Sequence, residues 1–386
     1  MLNLSSFLTK IANLIFRSAW KLCEQFQICR LTLAVDPGVV ESELEVIEKR
    51  AKFYLPMLKK INIRKHLNPV DYLLPYPIIT FSNLNSVGET LLHHRPGVFN
   101  IDYRNYYADA WRWIDLLNFC SGRRKNFKFP NKQFKNYVQR IKDQGYKKSY
   151  IFGTGPSLEK AIEYDWSDGI RIVCNTIVRD VELWNKIQPH FIVAADALYH
   201  FSDSNFARSF REDLWKRLEQ SLTYFVYPSQ FDIIVRRDYS KFTDRLIPIP
   251  IGRSQSITID LTESFQLPSL GNVLNLILLP LACTLTKDIF LWGFDGRAPG
   301  DKLFWSNSEK HSYPEFMQEL VNDHPAFFEH YVPKSNPNLY VSQVHGDLLE
   351  ELLQDAEKKG WNFTMMHHSW THALDIRYRG EASRTG

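Results

Sequence analysis

The sequence predicts an α/β fold, a mainly parallel sheet with helices on both faces, preceded by a mostly helical accessory module. Three observations carry that prediction. From Lys147 onward, short β-rich runs recur at 149–152, 170–174, 191–194, 223–227, 245–249, 289–292 and 362–366. Stretches with helical spacing separate them, at 158–164, 178–186, 205–220, 273–285 and 347–359. Residues 1–145 lack this strand–turn–helix rhythm. Strands alternating with helices of such lengths imply parallel pairing through crossover connections.

At the start of the chain, Leu4, Leu8, Ile11, Ile15, Ala19 and Leu22 recur at helical spacing, with Lys10, Arg17 and Lys21 between them. Two readings follow: a helix packed on its own domain, or peripheral membrane contact through residues 1–33. The basic residues lie within the apolar stretch rather than ahead of it, so no signal peptide is expected. Residues 42–55 read as a helix, with Ser42 and Glu45 spaced as a capping box and Pro56 at its end. Residues 69–77 form a Pro- and Tyr-rich connection, and the aromatic stretch 103–120 reads as helical. The charged stretch 132–142 reads as a helix stopped at Gly145. The best delimited helix is 347–359, with Asp347 in its first turn, Lys358 and Lys359 in its last, and Gly360 as its stop. The expected divisions are 1–145 as accessory module, 146–376 as the α/β domain and 377–386 as a disordered tail.

Composition narrows the class. Across 386 residues, hydrophobic content is 44% and charged content 23%, which excludes a largely disordered chain. A net charge of +4 is too weak to argue for a nucleic-acid partner. The high aromatic content shows no regular spacing and reads as core. Cys23, Cys29, Cys120, Cys174 and Cys283 form no C-x-x-C pair, so a disulfide framework is not expected and a cytoplasmic location is. Cys174 and Cys283 sit in apolar runs and read as core. The most apolar stretch, 274–285, is too short to span a bilayer and reads as a buried helix.

The candidate chemistry lies just past the strands. The run 149–152 leads into Gly153, Thr154, Gly155, Pro156 and Ser157, followed by a helix. Glycines admit close approach to the main chain, Pro156 suits a helix start, and free N–H groups at a helix N-terminus favour phosphate. The sequence is neither a P-loop nor the dinucleotide G-x-G-x-x-G, because Leu158 stands at the third glycine's place. Asn175 follows the second run and reads either as a turn residue or as a reader of base or sugar. Asp196 follows the third and reads as a helix N-cap or as a ligand to ribose or metal. Asp295 and Arg297 follow the run 289–292, Asp295 reading as a catalytic carboxylate, an alternative base or a metal ligand, and Arg297 offering a fork for phosphate. Leu270 and Gly271 form a small-residue turn into the apolar helix. The stretch from Arg297 to about Tyr340 reads as a substrate-covering loop or an inserted helical segment. His345 precedes the helix at 347–359, where an imidazole suits general-base work. His367, His368 and His372 cluster near the end without evident metal partners.

In this order the motifs resemble bacterial CMP-sialic-acid-dependent sialyltransferases and the related domain of flagellin-glycosylating motility accessory factors. They are a strand with G-x-G-P-S-L, a strand ending in C-N, a small turn into an apolar helix and a strand ending in G-F-D. The similarity covers about 148–366. It implies a single-Rossmann, GT-A-like fold and an inverting transfer without a bound metal or other cofactor. The partners would be a nucleotide-sugar donor and a glycan or glycolipid acceptor in surface-glycan assembly. It also implies roles: Gly153, Gly155, Pro156, Ser157 and Asn175 in holding the donor, Leu270 and Gly271 near the base, Asp295 at the G-x-D position and His345 as the base that deprotonates the acceptor. Thr154 replaces a family asparagine, and Ala195 with Asp196 replaces another. Arg297, Phe304, Trp305 and Tyr313 stand in for the tyrosines that steady the phosphate. Rival readings are a Mg-dependent, pterin pyrophosphokinase-like diphosphate transfer and a non-catalytic nucleotide-binding scaffold.

Overall fold

A computed structural model describes residues 4–35, 40–64, 76–81, 97–101, 110–121, 128–298, 309–324, 328 and 347–380. The chain divides into two compact units, Met1–Lys125 with Val321–Tyr331, and Asn126–Leu320 with Val332–Gly386.

The first unit is α/β, not mostly helical. Its strands β1 (Arg30–Ala34), β2 (Lys60–Arg64), β3 (Ile78–Thr80) and β4 (Val98–Asn100) form a parallel sheet in the order β2-β1-β3-β4. Helices α1 (Leu4–Gln25), α2 (Glu41–Tyr54) and α3 (Arg112–Ser121) accompany it. The start of α2 is held by Glu43 rather than Glu45, its carboxylate accepting the Val40 N–H at 3.2 Å. Tyr54 stacks on Trp113 of α3 with centroids 5.7 Å apart, an offset aromatic pair inside this unit's core.

The second unit carries the predicted architecture. Strands β5 (Lys148–Phe152), β6 (Ile170–Cys174), β7 (Phe191–Val193), β8 (Tyr224–Pro228), β9 (Leu246–Ile249), β10 (Asp288–Trp292) and β11 (Asn362–Met365) form one parallel sheet, ordered β11-β10-β5-β6-β7-β8-β9. Every residue of β6 is buried, as a sheet covered on both faces requires. Alternation along β5 shows the two faces. Ile151 belongs to a cluster with Phe134, Leu279 and Leu353, whereas Phe152 meets Trp166 edge-on at 4.9 Å.

The unit begins earlier than expected. Helix α4 (Lys128–Lys142) belongs to it, not to the accessory module. Its charges hide a stripe at helical spacing: Phe134, Tyr137, Val138 and Ile141 enter the sheet's core, and Tyr137 packs on Tyr224 with centroids 4.1 Å apart. Two predicted helices change form. The one after β5 is a 3₁₀ helix, Pro156–Glu163. The apolar one opens with a π turn, Leu274–Leu278, before α-helix Leu279–Leu285. Pro280 explains the second case, because it has no N–H for an α-type bond to residue 276.

The tail also starts later than expected. Arg377 is buried and bonds Glu350 and Glu357 at 2.7 Å each, while its carbonyl accepts the Met365 N–H at 3.0 Å. Residues 381–386 lie outside the described residues. The five cysteines are free and buried. Among the described residues no helix is long and apolar enough to cross a membrane.

Candidate functional site

The strand order fixes where a ligand crevice opens. From β5 the chain steps outward through β6 to β9, then crosses back to lay β10 on the other side of β5. In open parallel sheets, ligands bind beyond the carboxyl ends at such a reversal. Phe152 and Trp292 pair in register, so the loops that follow them leave side by side.

These two loops touch through their backbones. The Gly153 N–H donates to the Trp292 carbonyl and the Gly155 N–H to the Gly293 carbonyl, each at 2.8 Å. A Cβ on Gly153 would stand 2.5 Å from the Gly293 oxygen, and one on Gly155 would stand 2.1 Å from Asp295 Oδ2. The glycines are therefore required by the neighbouring loop. Asp295 then fills the helix start. Its carboxylate accepts the Ser157 N–H at 3.1 Å and the Ser157 hydroxyl at 2.9 Å. The expected phosphate seat is thus already capped by a carboxylate, which takes the N–H and repels a second anion. Among the described residues, the Thr154 N–H is the amide of this turn left without an acceptor.

His367 completes the cluster. Its Nε2 lies 2.7 Å from Ser157 Oγ and accepts the Gly293 N–H at 2.9 Å. Its Nδ1 lies 2.7 Å from the His368 carbonyl, which can only accept. The ring is therefore the neutral Nδ1–H tautomer, with Nε2 turned inward as the acceptor. The hydroxyl proton of Ser157 has a carboxylate on one side and an imidazole on the other. Here the carboxylate meets the serine, not the histidine, so this is not a serine-hydrolase triad. It is a short hydrogen-bonded path from Asp295 to a partly exposed imidazole. Strand register places it there: Leu291 pairs with Met365, so His367 lies just past β11 at the level of Gly293.

The remaining candidates spread along the same edge. Asn175, directly after β6, has φ +52°, and its Oδ1 is buried with no hydrogen-bond partner. A buried unpaired amide oxygen costs about 1–3 kcal/mol, which a ligand donor would recover. Asp196, after β7, caps a helix instead, accepting the Leu198 and Tyr199 N–H groups at 2.7 and 2.8 Å. Arg297 is half-buried, four residues past Gly293. Leu270 and Gly271 precede the π turn, whose first turn is capped by Asn272 Oδ1 accepting from the Asn275 N–H at 3.0 Å. His345, Phe304 and Trp305 lie outside the described residues.

Tyr313 does not serve as a phosphate group. It is buried, its hydroxyl donates to Asp213 at 2.8 Å, and burial pushes its pKa up. Its segment nevertheless flanks the site. Thr176 donates to the His311 carbonyl, His311 Nε2 lies 3.0 Å from Asp180, and Arg179 pairs with Glu315 at 2.9 Å. Residues 309–315 thus seat against the loop carrying Asn175. His368 faces Asp375 at 3.0 Å, and among the described residues no His, Cys, Asp and Glu group is placed to hold a metal ion.

Asn275 adds a separate prediction. Its side chain is wholly buried with neither amide atom paired. Asn275→Leu keeps the branching and heavy-atom count and removes the unpaired amide, so the ligand-free protein gains roughly 1–3 kcal/mol less the cost of seating two bulkier methyl groups. The midpoint of urea unfolding should rise at an unchanged slope, and a fall would show that the amide is satisfied in solution.

No family model, curated protein or solved structure matches this chain.

Proposed function

We propose that the carboxyl edge of the seven-stranded sheet binds a nucleotide-activated sugar, CMP-linked and sialic-acid-like, and that the protein transfers the sugar with inversion to a glycan or glycoconjugate acceptor. The observation that carries this reading is the strand reversal between β5 and β10, with the resembling motifs at the carboxyl ends of their strands. The orphan Oδ1 of Asn175 supports it, since it asks for a donor such as a sugar hydroxyl or a base amino group. The capped Ser157 amide refines it. The leaving phosphate belongs against the Thr154 N–H and the Arg297 guanidinium, not at the helix start. His345 is the acceptor's base in this proposal, and no bound metal is required. Asp295 and Ser157 hold the two loops together and shape the donor pocket.

The test is release of CMP from CMP-sialic acid by the purified protein, with an acceptor glycan and EDTA present. Transfer is expected to persist in EDTA, and His345→Ala should lower kcat by about 10²–10⁴-fold, the range of a lost general base. Turnover of ATP that depends on Mg²⁺, with no turnover of a CMP-sugar, would replace this reading with diphosphate transfer. Tight CMP binding without turnover of any donor would make the protein a scaffold.

A further inference from the structure

We infer that the outward face of α1 docks on an anionic membrane surface. The inference is independent of the proposed sugar transfer. α1 uses two separate apolar stripes. Phe16, Trp20 and Cys23, spaced four and three residues apart, are buried in the first unit, with Phe16 packed on Phe119 at 5.3 Å. One-sided packing needs no more than this. A second stripe points away from it: Ile11, Leu14, Ile15 and Leu22 are 39%, 61%, 65% and 55% exposed, and Phe26 and Ile28 just past the helix are 68% and 47% exposed. Apolar side chains at helical spacing on an exposed face mark an interaction surface rather than scattered surface residues.

Charge selects the partner. Arg17 and Lys21 are exposed and occupy the sector between the two stripes, with Lys10 in the same register of the sequence. The first acidic residue of the chain is Glu24. A face with an apolar stripe and a border where Arg17 and Lys21 outnumber the single carboxylate, Glu24, is the pattern of a helix lying in a lipid interface. Each basic residue adds attraction to an anionic leaflet. Self-pairing fits less well, because two copies of this face would bring both Arg17 and both Lys21 side chains together with only the Glu24 carboxylates to offset them. At 22 residues the helix is about 33 Å long, enough to lie flat with the whole stripe immersed.

Flotation of the full chain with phosphatidylcholine vesicles containing one quarter phosphatidylglycerol tests this. Binding is expected to those vesicles, to fall at least tenfold on pure phosphatidylcholine, and to weaken in high salt. Leu14→Glu with Ile15→Glu should abolish it while the thermal midpoint stays unchanged, because both side chains are exposed. Lys21→Glu should weaken only the anionic component. Arg17 is a poorer choice, since its guanidinium also lies 4.9 Å over the Phe119 ring. Failure to bind either vesicle would overturn the inference. So would a dimer, seen by light scattering, that the Leu14/Ile15 pair of substitutions dissociates.

Discussion

Gly293→Ala will destabilise the second unit by about 4 kcal/mol, summed from left-handed backbone strain and overpacking. Gly293 has φ +76°, where an L side chain meets its own backbone. A Cβ there would also stand 2.4 Å from the Gly153 carbonyl oxygen and 2.9 Å from its carbon. Neither atom can yield. Gly153 is held to β10 by its N–H bond to Trp292, and Gly155 returns a bond to Gly293 itself. The Gly293 N–H also anchors His367. Gly360→Ala is the control, with φ +93° and no atom within 4 Å of the added Cβ. It should lose only the conformational part, about 1–2 kcal/mol. Urea titrations of both variants separate strain from collision. Equal losses would mean that the two loops do not meet backbone to backbone in solution.

That close contact also shows what the sequence could and could not reveal. The seven strands of the second unit were legible because β-rich runs and helical stretches alternate from residue 147 to 366, and their parallel pairing followed. The first unit was not. Ile78–Thr80 and Val98–Asn100 are three residues long, too short for a period-two signal, and the sheet they join has partners far apart in sequence. Helix α4 is legible in the sequence but its unit is not, because its charges are local and its contacts with Tyr224 and Phe265 are not. The site shows the same division. That Gly153, Gly155, Asn175, Asp196 and Asp295 lie at one edge followed from their places after strands. That Asp295 turns into the Ser157 turn, and that His367 reaches the same hydroxyl, required the register of β10 between β5 and β11. A glycine-rich turn reads the same whether its free space belongs to a phosphate or to a neighbouring loop.

Lowering the pH from 7.5 to 5.0 will cost the protein about 4 kcal/mol of stability through buried His200 and half-buried His190, from pKa differences alone. Burial lowers the pKa of His200 to about 3 and that of His190 to about 4, in each case with a nearby arginine contributing. Both rings hold their neutral form by structure. His200 Nδ1 accepts the Asp196 N–H at 3.1 Å, and its ring packs on Phe210 with centroids 4.5 Å apart. His190 Nδ1 accepts the Arg171 N–H at 3.1 Å. A histidine with a depressed folded pKa binds its proton first in the unfolded chain. Stability is therefore complete above about pH 6.5 and falls as pH drops below it, until the folded pKa is reached. At pH 5.0 each histidine contributes about 2 kcal/mol, since the unfolded form titrates about 1.5 pH units higher. Glu350, held below the usual carboxylate range by its bond from Arg377, follows the same proton linkage but acts lower. Its stabilisation is present above about pH 4.3 and is lost as pH falls through its lowered value, so it leaves the upper window clear. The measurement is the pH slope of unfolding free energy between 6.5 and 5.0, expected to rise from about one proton at pH 6.5 toward two at pH 5.0. His200→Gln removes one titrating group and should bring the slope near one proton, whatever it costs in packing at pH 7.5. A slope of two that survives this substitution would place the uptake elsewhere than on His200.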